Sequence, residues 1–180
     1  MSELVSKDTD GTEHFHWIQE REQSCGPACV FMIERIKRLA CTVGGEARIR
    51  DIASRFPKGY DENNGTHFEA LKKALDQIGL SAIAGRVNNM KTFAEAGNYP
   101  FIARVGWTQG GGHFVVAART TSGGNMVCLD PWFGLVETPL SLLPNYSVHT
   151  DYKRGKCMVN PQGGSMNGPV VYLYKSPFGV

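Results

Sequence analysis

The residues best suited to chemistry lie between Gln19 and Cys29, in the stretch QEREQSCGPAC. After Cys25, apolar residues recur with the 3.6-residue period of a helix, and a proline is tolerated in a first helical turn. Ser24 is a candidate N-cap for that helix. We therefore predict Cys25 at the positive N-terminal end of a buried helix, where a thiolate anion is stabilised. The alternative is a small buried cysteine that only opens a core helix.

Three polar residues elsewhere could assist a thiolate at this position. Gln19 lies six positions before Cys25 (25 − 19 = 6) and could donate its side-chain amide to an oxyanion. His113 follows three glycines and opens an apolar segment, and Asp130 ends the next apolar segment before a proline. The simpler alternatives are a solvated loop glutamine, a histidine at the head of a core strand and an ordinary Asp-Pro turn.

A cysteine, a histidine and an aspartate can together perform nucleophilic acyl chemistry. The histidine keeps the sulfur deprotonated and later protonates the leaving amine, and the carboxylate orients the imidazole. His113 would begin one strand and Asp130 would end the next, which are neighbouring places in an antiparallel hairpin. We therefore predict a triad of Cys25, His113 and Asp130. Gln19 and the backbone N–H of Cys25 are the predicted oxyanion donors.

The motifs, taken in order, resemble a known family. Gln-x5-Cys-Gly-Pro-Ala-Cys, Gly-His-Phe-Val-Val and Leu-Asp-Pro are similar to motifs of the bacteriocin-processing (double-glycine leader) peptidases, which are papain-like cysteine peptidases. The resemblance runs from about Gln19 to about Leu143. It implies a papain-like α+β fold and a cysteine endopeptidase that acts on a protein or peptide and needs no cofactor.

Two features separate the sequence from larger papain-type enzymes. The histidine follows the cysteine by 88 residues (113 − 25 = 88), whereas the larger enzymes have about 130–150 residues between them. An aspartate also takes the place of the usual asparagine. Both features fit the compact leader-peptidase type. That type is usually fused to a transporter, and these 180 residues contain none, so the substrate need not be a double-glycine leader.

The resemblance leaves several functions open. A free-standing peptidase of this class could be a host-targeting effector, an antibacterial toxin or a maturation enzyme, with an inhibitor or immunity protein as a further partner. A peptidoglycan amidase or a transglutaminase-like enzyme on the same scaffold is the nearest alternative. An inactive papain-like domain used only for binding is another. Trp107, Trp132 and Phe133 could line the cleft, or they could be ordinary packing aromatics.

The composition argues against several other functional classes. A net charge of +2 does not suggest a nucleic-acid partner, and no apolar run reaches the ~18 residues of a membrane span. The first residues show no signal-peptide pattern, so we expect a cytoplasmic protein or one exported by another route. Five cysteines at irregular spacing do not suggest a disulfide framework.

The cysteines could also serve as ligands of a zinc ion. Cys25 and Cys29 are four residues apart and share a helix face. Two further ligands would have to come from the histidines, which have no zinc-finger spacing: His14, His16, His67 and His113. We therefore expect no metal, and we interpret Cys29 as a buried packing residue.

Hydrophobic periodicity predicts helices mainly early in the chain and antiparallel strands later, which is an α+β arrangement. We predict a disordered tail at 1–12 and a single papain-like domain at 13–180. The predicted helices are 25 to about 40, 49–56, about 67–78 with Thr66 as N-cap, a short helix through 96 capped by Asn88 or Asn89, and 138–143. The predicted strands are 13–19, 80–87, 100–106, 113–119, 126–130, 134–137 and 170–175.

Overall fold

The computed structural model describes residues 3–38, 43–107, 111–141 and 164–175. The helices in these ranges are α1 (Cys25–Arg38), α2 (Gly45–Ser54), α3 (Phe68–Gln77) and α4 (Met90–Glu95). The strands are β1 (Glu3–Lys7), β2 (Glu13–Trp17), β3 (Ala82–Val87), β4 (Phe101–Trp107), β5 (Gly112–Thr120), β6 (Asn125–Asp130), β7 (Gly134–Pro139), β8 (Gly164–Ser165) and β9 (Gly168–Leu173). None of these helices is long and apolar enough to traverse a lipid bilayer.

The strands form one large antiparallel sheet and one separate hairpin. The large sheet has the order β3-β9-β4-β5-β6-β7, with the short β8 paired to β4, and β1 pairs with β2. Sequential hairpins β4–β5, β5–β6 and β6–β7 make up the half of the sheet that carries His113 and Asp130. The mixed helices and antiparallel sheet confirm the predicted α+β class.

Each face of the large sheet covers its own hydrophobic core. Met32 of α1, Leu71 of α3 and Ile102 of β4 lie in the core between the sheet and the early helices. Met90 of α4 and Met126 of β6 lie in the core on the opposite face. Both cores consist mainly of buried side chains, so α1, which begins with Cys25, is fixed firmly against the sheet.

The prediction of a disordered tail at residues 1–12 is wrong for the residues that the structure describes. β1 pairs with β2, and the turn between them is held to distant strands by side-chain hydrogen bonds. Asp10 accepts hydrogen bonds from the backbone and hydroxyl of Ser122 (2.9 and 2.6 Å) and from Arg119 (2.6 Å), and Thr9 donates to Glu137. These partners are more than 100 residues away, so the polar local composition gave no sign of them. The predicted domain start at residue 13 also cuts this hairpin.

Two further predictions about local structure are wrong. α3 is capped by His67, whose Nδ1 accepts from the backbone N–H of Glu69 (3.4 Å), and not by Thr66. The predicted helix at 138–143 is also wrong at its start. Thr138 and Pro139 are the last residues of β7 and pair with β6. Residues 142 and 143, and most of the predicted turn region after them, lie outside the described ranges.

A buried carboxylate, Glu46 of α2, fixes the segment that leads into the site. It accepts hydrogen bonds from the indole N–H of Trp17 (2.9 Å) and from the backbone N–H of Glu20 (2.9 Å). Arg50 forms an ion pair with Glu46 and also with Glu20. The residues between Trp17 and Glu20, which include Gln19, are therefore attached at both ends to α2.

We predict that Glu46→Ala lowers the free energy of unfolding by about 3–5 kcal/mol, because it leaves the buried indole N–H of Trp17 and the backbone N–H of Glu20 without their acceptor and removes one of the two carboxylates paired with Arg50. Urea denaturation measures this change. Glu95→Ala, which removes an exposed partner of Lys91, is the control and should cost under about 0.5 kcal/mol. Equal effects of the two substitutions would contradict the role assigned to Glu46.

Candidate active site

Cys25 is the first residue of α1 and remains partly exposed at the bottom of a cleft. The next residue, Gly26, is buried, and a Cβ at this position would come within 2.8 Å of Leu71 and 3.3 Å of Thr66. A larger residue would thus push the start of α1 away from α3. The Gly-Pro pair after the cysteine is explained by this close helix packing and by the tolerance of proline in a first turn.

The predicted N-cap, Ser24, does not use its hydroxyl to cap α1. The hydroxyl donates to the carbonyl of Arg21 (2.9 Å) and accepts from the Arg21 backbone N–H (3.0 Å), which closes a turn before the helix. The backbone carbonyl of Ser24 accepts from Ala28, as expected at a helix start. The first N–H groups of α1 therefore receive no cap from this side chain, and such groups favour a bound anion.

The structure brings His113 and Asp130 together as the hairpin argument predicted. Extending the ladder one residue beyond the Val116–Leu129 pair places Asp130 opposite Val115, on the same face as His113 two residues earlier. Nε2 of His113 lies 2.8 Å from Oδ1 of Asp130, and both side chains are fully buried. Nε2 faces the carboxylate, and Nδ1 is buried with no hydrogen-bond partner among the described residues, so Nδ1 is the ring nitrogen left for the Cys25 thiol.

Backbone donors and aromatic rings fix this pair. Oδ1 of Asp130 also accepts from the backbone N–H groups of Trp132 (2.7 Å) and Phe133 (3.2 Å), so the Asp-Pro turn presents its carboxylate to the imidazole. Trp132 stacks on the His113 ring at 4.2 Å between centroids, and the Trp107 ring lies nearly parallel to it with its centroid 6.2 Å away. The Trp132 indole therefore covers one face of the buried imidazole.

Asp130 and Cys25 together outweigh the effect of burial on the pKa of His113. Burial alone would lower the pKa of the imidazole, but the Asp130 charge, its hydrogen bond and the Cys25 sulfur raise the pKa to about 10. At neutral pH this environment favours an imidazolium beside the sulfur. A protonated imidazole at this place is the proton donor that a leaving amine requires.

Gln19 lies in the same cleft as Cys25 but has other hydrogen-bond partners. Its backbone N–H donates to the carbonyl of Pro131 (2.9 Å), which ties the segment to the residue after Asp130. Its side-chain Nε2 donates to the carbonyls of Arg21 and Glu22, each at 2.6 Å. The amide can reach an oxyanion only by releasing one of these carbonyls, and its assigned role stays a prediction.

The cleft has a volume of about 1580 Å³ and runs between two walls. One wall is the loop 58–67, closed by mutual backbone hydrogen bonds between Asp61 and Gly65 (2.9 Å). The other contains Arg104, Trp107 and the strand start before His113. The sequence reasoning missed both the loop and Arg104 as cleft residues. The run Asn63-Asn64-Gly65 signalled a tight turn but not its place beside Cys25.

The other described cysteines are packing residues. Cys29 is fully buried, and burial raises its pKa well above the ordinary value, with a further contribution from Cys25. Burial likewise raises the pKa of Cys128. Both thiols are therefore poor nucleophiles. Within the described ranges, no three His, Cys, Asp or Glu side chains come together in a group that could hold a metal.

Comparison with protein families settles the class of this chain. The sequence model of the peptidase C39 family matches residues 14–141, which include the cysteine, histidine and aspartate described above. The chain belongs to the peptidase C39 family. It is therefore a papain-like cysteine peptidase, a hydrolase, and the resemblance inferred from its motifs is confirmed.

Solved structures show that the fold of this peptidase C39 chain is shared with other proteins. A double-glycine motif protease from an AMS/PCAT transporter, in complex with its leader peptide, has a TM-score of 0.58 at 17% identity, covering 96% of this chain and 93% of that one. The peptidase domain of Streptococcus ComA has a TM-score of 0.60 at 14% identity, covering 89% and 97%. At such identities the likeness concerns the fold alone. Comparison with curated proteins gives no match.

We predict that Asp130→Asn lowers the pKa of His113 well below its value of about 10, because burial is then opposed only by the contribution of Cys25. The ring nitrogens can be titrated by NMR in both proteins. An unchanged titration would contradict the contribution of the Asp130 charge.

The same linkage predicts a pH dependence of stability. A raised pKa means that the protonated imidazole stabilises the fold fully below about pH 6.5, and that this contribution is lost as the pH rises through about 10. The difference in unfolding free energy between the native protein and His113→Gln should therefore shrink over this interval. A difference that does not vary with pH would be inconsistent with the raised pKa.

Proposed function

We propose that this peptidase is an endopeptidase in which Cys25 is the nucleophile, His113 the general base and acid, and Asp130 the orienting carboxylate. The observation that carries the proposal is the buried imidazole of His113, whose Nε2 lies 2.8 Å from Asp130 and whose pKa is affected by the nearby Cys25 thiol. Cys25 itself lines an open cleft, which supports an extended peptide as substrate. The leader peptide bound to a protease of the same fold is consistent with this.

The reaction follows from these positions. The Cys25 thiolate attacks the scissile carbonyl carbon, and the oxygen becomes an oxyanion beside the first N–H groups of α1. The C–N bond breaks as the His113 imidazolium transfers its proton to the leaving amine, leaving a thioester. A water molecule then gives a proton to His113 and attacks the thioester, and the Cys25 sulfur leaves as the thiolate beside the reprotonated imidazole.

The biological role belongs to the proposal as well. A maturation enzyme, an antibacterial toxin and a host-targeting effector all require selective peptide cleavage. The toxin role also calls for an inhibitor or immunity protein, which would have to cover the cleft of about 1580 Å³. Profiling of cleaved proteins in the producing and target cells distinguishes these roles.

We predict that Cys25→Ala lowers kcat/KM for peptide cleavage by at least about 10³-fold and that His113→Ala lowers it by about 10²–10⁴-fold. Fluorogenic peptides and whole-proteome digests measure the loss. Cys29→Ala removes a thiol one helical turn away and should retain most of the activity. A papain-type epoxide should label Cys25 and no other described cysteine.

Two experimental outcomes would overturn the proposed endopeptidase function. Hydrolysis of muropeptides without peptide cleavage would indicate an amidase on the same scaffold. A biological effect that survives Cys25→Ala would indicate a binding domain.

Gln19 provides a separate prediction about the oxyanion. If its amide turns from the Arg21 and Glu22 carbonyls to the oxyanion, Gln19→Ala should lower kcat by about 10²–10³-fold with little change in KM. Gln23→Ala, which alters another glutamine of the cleft, is the control. Equal kcat values for Gln19→Ala and Gln23→Ala would show that backbone N–H groups alone stabilise the oxyanion.

A further inference from the structure

A second, smaller pocket adjoins the cleft and has a volume of about 290 Å³. It shares with the cleft the residues Thr66, His67, Arg104 and Phe114. Its remaining lining residues are Phe68, Arg86 and Pro169, so it contains two arginines and no carboxylate. Elsewhere the lining of the cleft mixes acidic and basic side chains, which makes this pocket the cationic part of the site.

The two arginines lack the carboxylate partners that other arginines of the chain have. Among the described residues, ion pairs join carboxylates to the guanidinium groups of Arg38, Arg48, Arg50 and Arg119. No described Asp or Glu lies within ion-pair distance of Arg86 or Arg104, and their recorded contacts are a backbone carbonyl and an aromatic ring. Both guanidinium groups are therefore available to bind an external anion through their N–H donors.

Arg104 is held in place immediately beside the catalytic strand. Its Nη2 donates to the carbonyl of Gly111 (3.0 Å), and its guanidinium lies over Gly112, the residue before His113. A Cβ at position 112 would come closer than 3.0 Å to the guanidinium, so the glycine makes room for Arg104. A solvated arginine on an open sheet face would not need this space.

Arg86 and His67 complete the polar lining. The guanidinium of Arg86 lies 5.5 Å from the ring centroid of Phe68, a cation–π contact that directs it towards the pocket. His67 accepts a hydrogen bond at Nδ1, so its neutral ring carries the proton on Nε2 and remains a donor. Glu69, 3.7 Å from His67, is largely exposed and does not line the pocket.

We propose that this pocket is a substrate subsite in which Arg104, supported by Arg86, binds the carboxylate of an Asp or Glu side chain close to the scissile bond. Guanidinium groups bind carboxylates through paired N–H donors, and the pocket offers two such groups with no internal competitor. The inference rests on the proposed peptidase function. It adds an acidic residue near the cleavage site as the feature that selects the substrate.

Cleavage-site profiling with a proteome-derived peptide library tests the subsite in the active enzyme. We expect Asp and Glu to be enriched at one position near the scissile bond. Arg104→Glu should abolish that enrichment, favour Lys or Arg at the same position and lower kcat/KM for an acidic peptide by about 10- to 100-fold. Lys91→Glu, an equal charge reversal on the exposed surface of α4, is the control and should leave the profile unchanged.

Two weaker variants test the geometry. Gly112→Ala should reduce the acidic preference because its methyl group displaces Arg104, and Arg104→Lys should retain only part of it because the paired donors are lost. Cleavage without any preference for acidic residues, or a preference that survives Arg104→Glu, would overturn the proposed subsite. The proposed peptidase function would be unaffected by either result.

Binding to Cys25→Ala separates the subsite from catalysis. Fluorescence anisotropy compares one peptide carrying Glu with the same peptide carrying Gln, each with a free and an amidated C-terminus. We expect the Glu peptide to bind more tightly, irrespective of amidation, and Arg104→Glu to remove the difference. Dependence on the free C-terminus alone would contradict a side-chain subsite. If the native enzyme does not cleave peptides but Glu-dependent binding is observed, the proposed peptidase function is refuted. The proposal of a carboxylate-binding site then still stands.

Discussion

The buried contact between His113 and Asp130 is the constraint on which the site depends. A charged imidazole inside the protein is costly unless an anion compensates it, and Asp130 provides that anion at 2.8 Å. The carboxylate is in turn held by the backbone N–H groups of Trp132 and Phe133. The pair therefore requires three things together: the β5–β6 register, the Asp-Pro turn and the covering indole of Trp132.

The elements around this pair are joined to one another, which explains how distant segments form one site. The backbone N–H of Gln19 bonds to the carbonyl of Pro131, so the segment before α1 is attached to the turn that carries the carboxylate. Glu46 holds the same segment from the side of α2. Loss of either set of hydrogen bonds would move the segment before Cys25 relative to His113. None of the reacting groups would itself be altered.

Short-range patterns in the sequence were sufficient for the helix of Cys25, the strands of His113 and Asp130 and the asparagine cap of α4, where Asn89 accepts from Thr92. Each depends on residues within a few positions or on one hairpin. The docked N-terminal hairpin and the placement of Arg104 in the cleft depend on contacts between distant segments. A polar turn looks the same in a sequence whether it is solvated or bound to Arg119, and for this reason these features could not be predicted.

The ladder between β4 and β5 couples reactivity to recognition. Arg104 pairs with Phe114, the residue after His113, and lies over Gly112, the residue before it. Because successive side chains of a strand point to opposite faces of a sheet, Arg104 extends from the face opposite to His113, and the backbone of the ladder links the two residues. Any shift of the ladder would move both side chains together. Selectivity can therefore vary independently of reactivity only through residues outside the ladder, such as Arg86 on β3 and the loop 58–67.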